Sequence, residues 1–213
     1  MRQVRIRSLV TSALLVALLA ASAWITVPLG TVPATLQTLV VILIALLCTP
    51  AQAAATVGAY VLLGAAGVPV FSSAQGGVAT LVGPTGGYLL GFLLGATAGA
   101  AVLRLADARQ RTENVPVKAG VAGSFSESTV ETVRPVRVAR RPRPPRNVRA
   151  DGLAAATTLV IVYALGTLWL AASTGLALGQ AVVVGVLPFV LPDALKAGAA
   201  VAAAGALRRA GVA

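Results

Sequence analysis

The sequence predicts an all-α integral membrane protein, a bundle of six transmembrane helices. Three observations carry that prediction. First, 57% of the 213 residues are hydrophobic and only 11% are charged, whereas a soluble globular chain carries about 25% charged residues. Second, the 96 residues from Ser8 to Leu103 contain no Asp, Glu, Lys or Arg, several times the ~20 apolar residues that cross a bilayer once. Third, eleven of the seventeen basic residues fall between Arg104 and Arg149. The formal charge of +11 therefore reports one cytoplasmic loop and not an affinity for nucleic acid, and no nucleic-acid partner is expected.

The first span is expected over 8–27, behind the basic start MRQVRIR, a flank of the kind retained in the cytoplasm. The same stretch also has the form of a signal peptide with Ala21-Ser22-Ala23 as its cleavage site. Against that reading, the apolar run continues through Trp24 to Leu29, and Ala13, Ala17 and Ala21 recur every four residues. Such a stripe makes a smooth face for close helix contact, either within the bundle or with another subunit. Pro28, Gly30 and Pro33 break the helix. The second and third spans, 36–49 and 51–67, form a hairpin turning at Pro50.

Residues 68–87 hold five glycines, two prolines and no charge. Irregular uncharged backbone beside a membrane is tolerated where it is buried against protein or lines a cavity, so this segment is a candidate wall for a binding site. The fourth span, 86–104, carries Gly87, Gly91, Gly95 and Gly99 on one face, a close-packing surface. Residues 105–151 are Arg- and Pro-rich and are expected to be a disordered cytoplasmic loop that can touch anionic lipid headgroups. The fifth span is expected over 153–173 and the sixth over 178–207. Basic residues at both ends and in the 105–151 loop place all three in the cytoplasm, which an even number of spans satisfies. A multi-pass protein of the cell membrane results.

The sixth span holds the only charges of the second apolar half, Asp193 and Lys196. An ionisable group at membrane depth costs roughly 2.5–3.5 kcal/mol on insertion scales and by default marks a functional site. Three residues apart on a helix, these two share a face. They either fix packing as an ion pair or jointly grip a dipolar ligand. The single Cys48 and the absence of His exclude a clustered soft-metal site, and no metal or cofactor is expected. An intramembrane enzyme would need a nucleophile–base pair or paired acids at depth, and the chain offers one acid there.

With the spans placed, the residues resemble the BioY family, the biotin-specific S components of energy-coupling factor (ECF) transporters. The resemblance rests on VPATLQTL (32–39), YVLLGAAGVPVF (60–71), GPTGGYLLGF (83–92), YALGTLWL (163–170) and PFVLPDALKA (188–197), in family order across all six spans. It implies a transport protein and not an enzyme. Biotin is captured from outside, and a transmembrane coupling subunit and two ATPase subunits dock through Ala13, Ala17 and Ala21. The chain has no G-x-x-x-x-G-K-[ST] motif, so ATP hydrolysis would belong to those partners.

The implied biotin site comprises Asp193, Lys196, Gln37, Gln75, Gly76, Gly77, Thr85, Tyr88 and Tyr163. Asp193 can accept from a ureido N–H, and Lys196 can donate to the ureido carbonyl or to the carboxylate. The competing readings are an S component or facilitator for another vitamin, and a membrane scaffold built around the basic loop.

Overall fold

The computed structural model describes residues 2–27, 32–113 and 148–210. Its helices are α1 (Arg2–Trp24), α2 (Gln37–Leu47), α3 (Pro50–Ala65), α4 (Val78–Val82), α5 (Gly86–Glu113), α6 (Val148–Thr174), α7 (Leu178–Gly185) and α8 (Leu187–Arg209). Two short strands, β1 (Thr26–Val27) and β2 (Ala34–Thr35), pair antiparallel between α1 and α2. Among the described helices three are long and apolar enough to cross a membrane: residues 86–110, 148–174 and 187–209.

The α2–α3 turn forms as the sequence predicts. Thr49 caps α3 by accepting from the Gln52 N–H at 3.1 Å, with Pro50 behind it in the first turn, where proline's missing N–H costs nothing. The glycine stripe of α5 is filled by α6. A methyl group on Gly91 would lie 2.9 Å from the Val162 Cα, and one on Gly95 would lie 2.8 Å from the Thr158 carbonyl oxygen. The two backbones therefore touch, and the Thr158 hydroxyl reaches the Gly95 carbonyl at 3.2 Å.

On α1, Leu15, Leu19, Ser22 and Ala23 are buried in the bundle, while Ala13, Ala17 and Ala21 are exposed. The small-residue stripe thus faces outward and does not pack within its own bundle.

Two expectations need correction. Residues 178–207 are not one helix. Val186 leaves helical geometry (φ −125°, ψ −56°) and separates α7 from α8, whose first turn holds Pro188. Nor are the flanks of the 105–151 loop irregular. α5 runs on to Glu113 and α6 begins at Val148, because the Leu, Ala, Arg, Gln and Glu of these flanks are good helix formers. Residues 114–147, the rest of that expectation, lie outside the described residues.

The architecture also explains where a cavity can form. α2 has 11 residues, a length of about 16 Å at 1.5 Å per residue, half of a ~30 Å hydrocarbon core. Yet Val40 to Leu46 are all buried, so α2 is the centre of the bundle. The column it does not fill is taken up by β2, by the 66–85 segment and by empty space.

Candidate functional site

The space above the N-terminus of α2 is a cavity with about 60 Å³ of water-accessible volume, several times what one water needs. Its apolar walls are Val32, Phe71, Leu89, Phe92, Val162 and Phe189, and its polar lining comprises Thr35, Gln37, Thr38, Ser72, Thr80, Thr85, Tyr88, Tyr163, Asp193 and Lys196. Helices α2, α5, α6 and α8 all contribute, whereas α1, α3 and α7 do not. The buried stripe of α8, Phe189–Asp193–Ala200–Ala204, has helical spacing, and that spacing carries Asp193 inward.

Asp193 is 2% exposed and lies 2.8 Å from the Lys196 ammonium. The pair does not stand alone. Asp193 Oδ1 also accepts from the Thr38 hydroxyl at 2.8 Å, and Oδ2 accepts from the Tyr163 hydroxyl at 2.7 Å. Lys196 Nζ further donates to the Thr35 carbonyl at 2.6 Å and to the Thr38 hydroxyl oxygen at 3.3 Å. Four elements, β2, α2, α6 and α8, therefore meet at one charge pair. Buried charges are tolerated only when paired and hydrogen-bonded in this way. A carboxylate offers about four lone-pair sites; three are taken here, which leaves one on Oδ2 for a ligand N–H.

Gln37, 3% exposed, begins a second chain of bonds. Its side-chain oxygen accepts from the Thr35 hydroxyl at 3.0 Å, its amide donates to the Tyr60 hydroxyl, and Tyr60 donates to the Val70 carbonyl at 2.9 Å. The cavity floor is thereby tied to the segment that leaves α3. Tyr88 presents its ring to the cavity while its hydroxyl donates to the Gly185 carbonyl at 2.8 Å, fixing the end of α7 beside the break.

Of the residues chosen from the sequence, Asp193, Lys196, Gln37, Thr85, Tyr88 and Tyr163 line this cavity, whereas Gln75, Gly76 and Gly77 do not. Gln75 is exposed. The glycines serve the folding of the 66–85 segment on itself. A side chain at Gly76 would strike the Val68 carbonyl at 2.5 Å. Gly77 has φ +91°, a conformation open to glycine, and donates to the Gly64 carbonyl at 2.6 Å.

Thr35 and Thr38 were not singled out from the sequence. They flank Gln37 by two residues and one, at the start of α2, and hydroxyls at the mouth of a buried helix were the available signal.

Three comparisons bear on this geometry. A family model described as the BioY family matches residues 1–212. The chain is 32% identical over 189 residues to the probable biotin transporter BioY of Pyrococcus horikoshii, covering 89% of this chain and 88% of that protein. It is 50% identical over 90 residues to the biotin transporter BioY of Thermotoga maritima, a match spanning 42% of this chain and only 53% of that protein. In three dimensions it resembles the crystal structure of the S-component for biotin from an ECF-type ABC transporter. The TM-score is 0.76 at 20% identity, over 98% of this chain and 94% of that one, a likeness of fold.

Proposed function

Because this chain belongs to the BioY family, we propose that it is the biotin-capturing S component of an ECF-type transporter and that the cavity above α2 is its biotin site. The observation that carries the reading is the pair of charges in the wall of the cavity, held by the hydroxyls of Thr38 and Tyr163. Biotin is an apolar bicycle with a ureido group of two donors and one acceptor. Asp193 accepts from a ureido N–H through its remaining Oδ2 site. The ureido carbonyl accepts a hydrogen bond from Lys196, in exchange for the longest of the ammonium's three bonds, the 3.3 Å contact with Thr38. The rings lie against Phe71, Phe92 and Phe189.

In this reading α1, α2 and α3 supply the three crossings besides α5, α6 and α8, α2 being short because the site sits on top of it. The cavity opens outward, and the opposite end, where Arg208 and Arg209 close α8, is cytoplasmic. The exposed Ala13, Ala17 and Ala21 form the surface on which a coupling subunit with its ATPases docks. Ala17→Leu should then abolish co-purification with that subunit and leave biotin binding unchanged.

Calorimetry on the detergent-purified chain tests the ligand. Biotin should bind, and riboflavin and thiamine should not. Binding of either of those in place of biotin would assign the cavity to another vitamin.

A further inference from the structure

The lining of the cavity is electrically balanced, and this bears on the other end of the ligand. Resting on the biotin reading, we infer that the ligand's tail is held without a counter-charge, so that the site accepts the neutral carboxamide of biotin with an affinity within about tenfold of the carboxylate's.

Among the described residues the cavity is lined by one acid and one base, and the two are paired with each other at 2.8 Å. All three ammonium protons of Lys196 are committed, to the Thr35 carbonyl, Asp193 Oδ1 and Thr38 Oγ1. Pairing a ligand carboxylate with Lys196 would set a second negative charge against Asp193, and like charges at that distance disfavour each other's ionised form. A ureido group meets no such opposition, because its N–H donors face Asp193. The Asp193–Lys196 end therefore selects the neutral, donor-bearing head.

The tail must find its partners elsewhere. The polar groups outside that mesh include the hydroxyls of Ser72 and Thr85, contributed by the segment between α3 and α5, while the Thr80 hydroxyl donates to the Gly76 carbonyl at 3.3 Å. Segment 28–31, between the paired strands, reads Pro-Leu-Gly-Thr and adds no charge. The remaining basic side chains that are described belong to the far end of the bundle: Arg104 and Arg109 in α5, Arg149 in the first turn of α6, and Arg208 and Arg209 in the last turn of α8. Hydroxyls donate to a carboxamide oxygen as they do to a carboxylate. The charge-assisted bond is the stronger, about twice a neutral one, but it does not approach the effect of deleting one member of a buried ion pair.

The experiment needs no variant. Biotin and biotin primary amide, which have the same shape and differ by one charge, are titrated calorimetrically into the same preparation of the full chain. A carboxylate held by a desolvated cation would lose about thirtyfold or more in affinity on becoming an amide. The expected result is a ratio of tenfold or less. Biotin binding with the amide weakened by more than tenfold overturns this inference and leaves the biotin site standing. Failure of biotin itself to bind removes the reading on which the inference rests.

Discussion

Two buried acids stand at opposite ends of the bundle, and each is paired with a base on α8, yet the two pairs are built differently. Asp193 and Lys196 are neighbours on one helix, face a cavity, and share hydrogen bonds with three other elements. Asp151, at the start of α6, is 3% exposed and meets Arg208 at 2.6 Å, while the same guanidinium donates to the Leu46 carbonyl at 2.8 Å. That second pair joins α6, α8 and the end of α2, with the buried Leu46, Leu103, Ala154 and Ala204 packed together nearby. Among the described residues Asp151 Oδ1 and Arg208 Nε have no hydrogen-bond partner. The Asp193 end gives every charged atom a partner and keeps one lone pair for a ligand. The Asp151 end leaves atoms unsatisfied and lines no described cavity. The first arrangement suits binding, and the second suits holding helices together.

The largest effect should come from breaking the second pair. Removing one member of a buried pair typically costs 3–5 kcal/mol, because the other charge is left uncompensated. Arg208→Ala should therefore lower the unfolding midpoint in detergent steeply while the folded fraction keeps its biotin affinity. Replacing both partners, Asp151→Leu with Arg208→Met, should recover most of that loss. A weakened biotin affinity in the folded Arg208→Ala protein would break the division of labour between the two ends.

At the cavity the ordering of readouts reverses. Asp193→Asn keeps the shape but loses the charge that Lys196, Thr38 and Tyr163 all address, and truncating one partner of such a pair costs about 2–5 kcal/mol of binding. Calorimetry should show biotin affinity falling by about thirtyfold or more, and Lys196→Ala should behave alike. Affinity untouched by both would reduce this pair to a second fastening.

How much of this was legible in the sequence depended on how local the signal was. The Asp193–Lys196 pair could be read because both members lie within four residues in an uncharged background. The hairpin at Pro50, the α5 glycine stripe and the family motifs are likewise continuous in sequence, and the BioY resemblance they carried agrees with the family match. The Asp151–Arg208 pair spans 57 residues, and Asp151 sits at the edge of an Arg-rich stretch where any acid looks like a solvated loop residue. The break at Val186 was missed because apolar composition is uniform across it, although Gly185 followed by Pro188 is the punctuation that ends one helix and starts another. Gln75, Gly76 and Gly77 offer polarity and backbone freedom. Those properties are spent on turning the chain from α3 to α5, a use that no spacing rule separates from ligand contact.

The smallest effect tests whether the two roles separate within a single residue of the site. Tyr163 touches Asp193 Oδ2 at 2.7 Å, the oxygen with a lone pair to spare. In Tyr163→Phe the ligand-free protein is left with a buried acceptor short of one bond, a loss of about 1–3 kcal/mol that thermal unfolding should register. Once biotin is bound, a ureido N–H can take up the vacated position on the same oxygen, so part of that loss is returned on binding. Affinity should consequently change by less than tenfold, far below the Asp193→Asn effect, even though stability falls. A loss of affinity equal to that of Asp193→Asn would mean that the hydroxyl contacts the ligand itself. Tyr163 would then stand beside Asp193 as a binding residue and not behind it as the group that aims it.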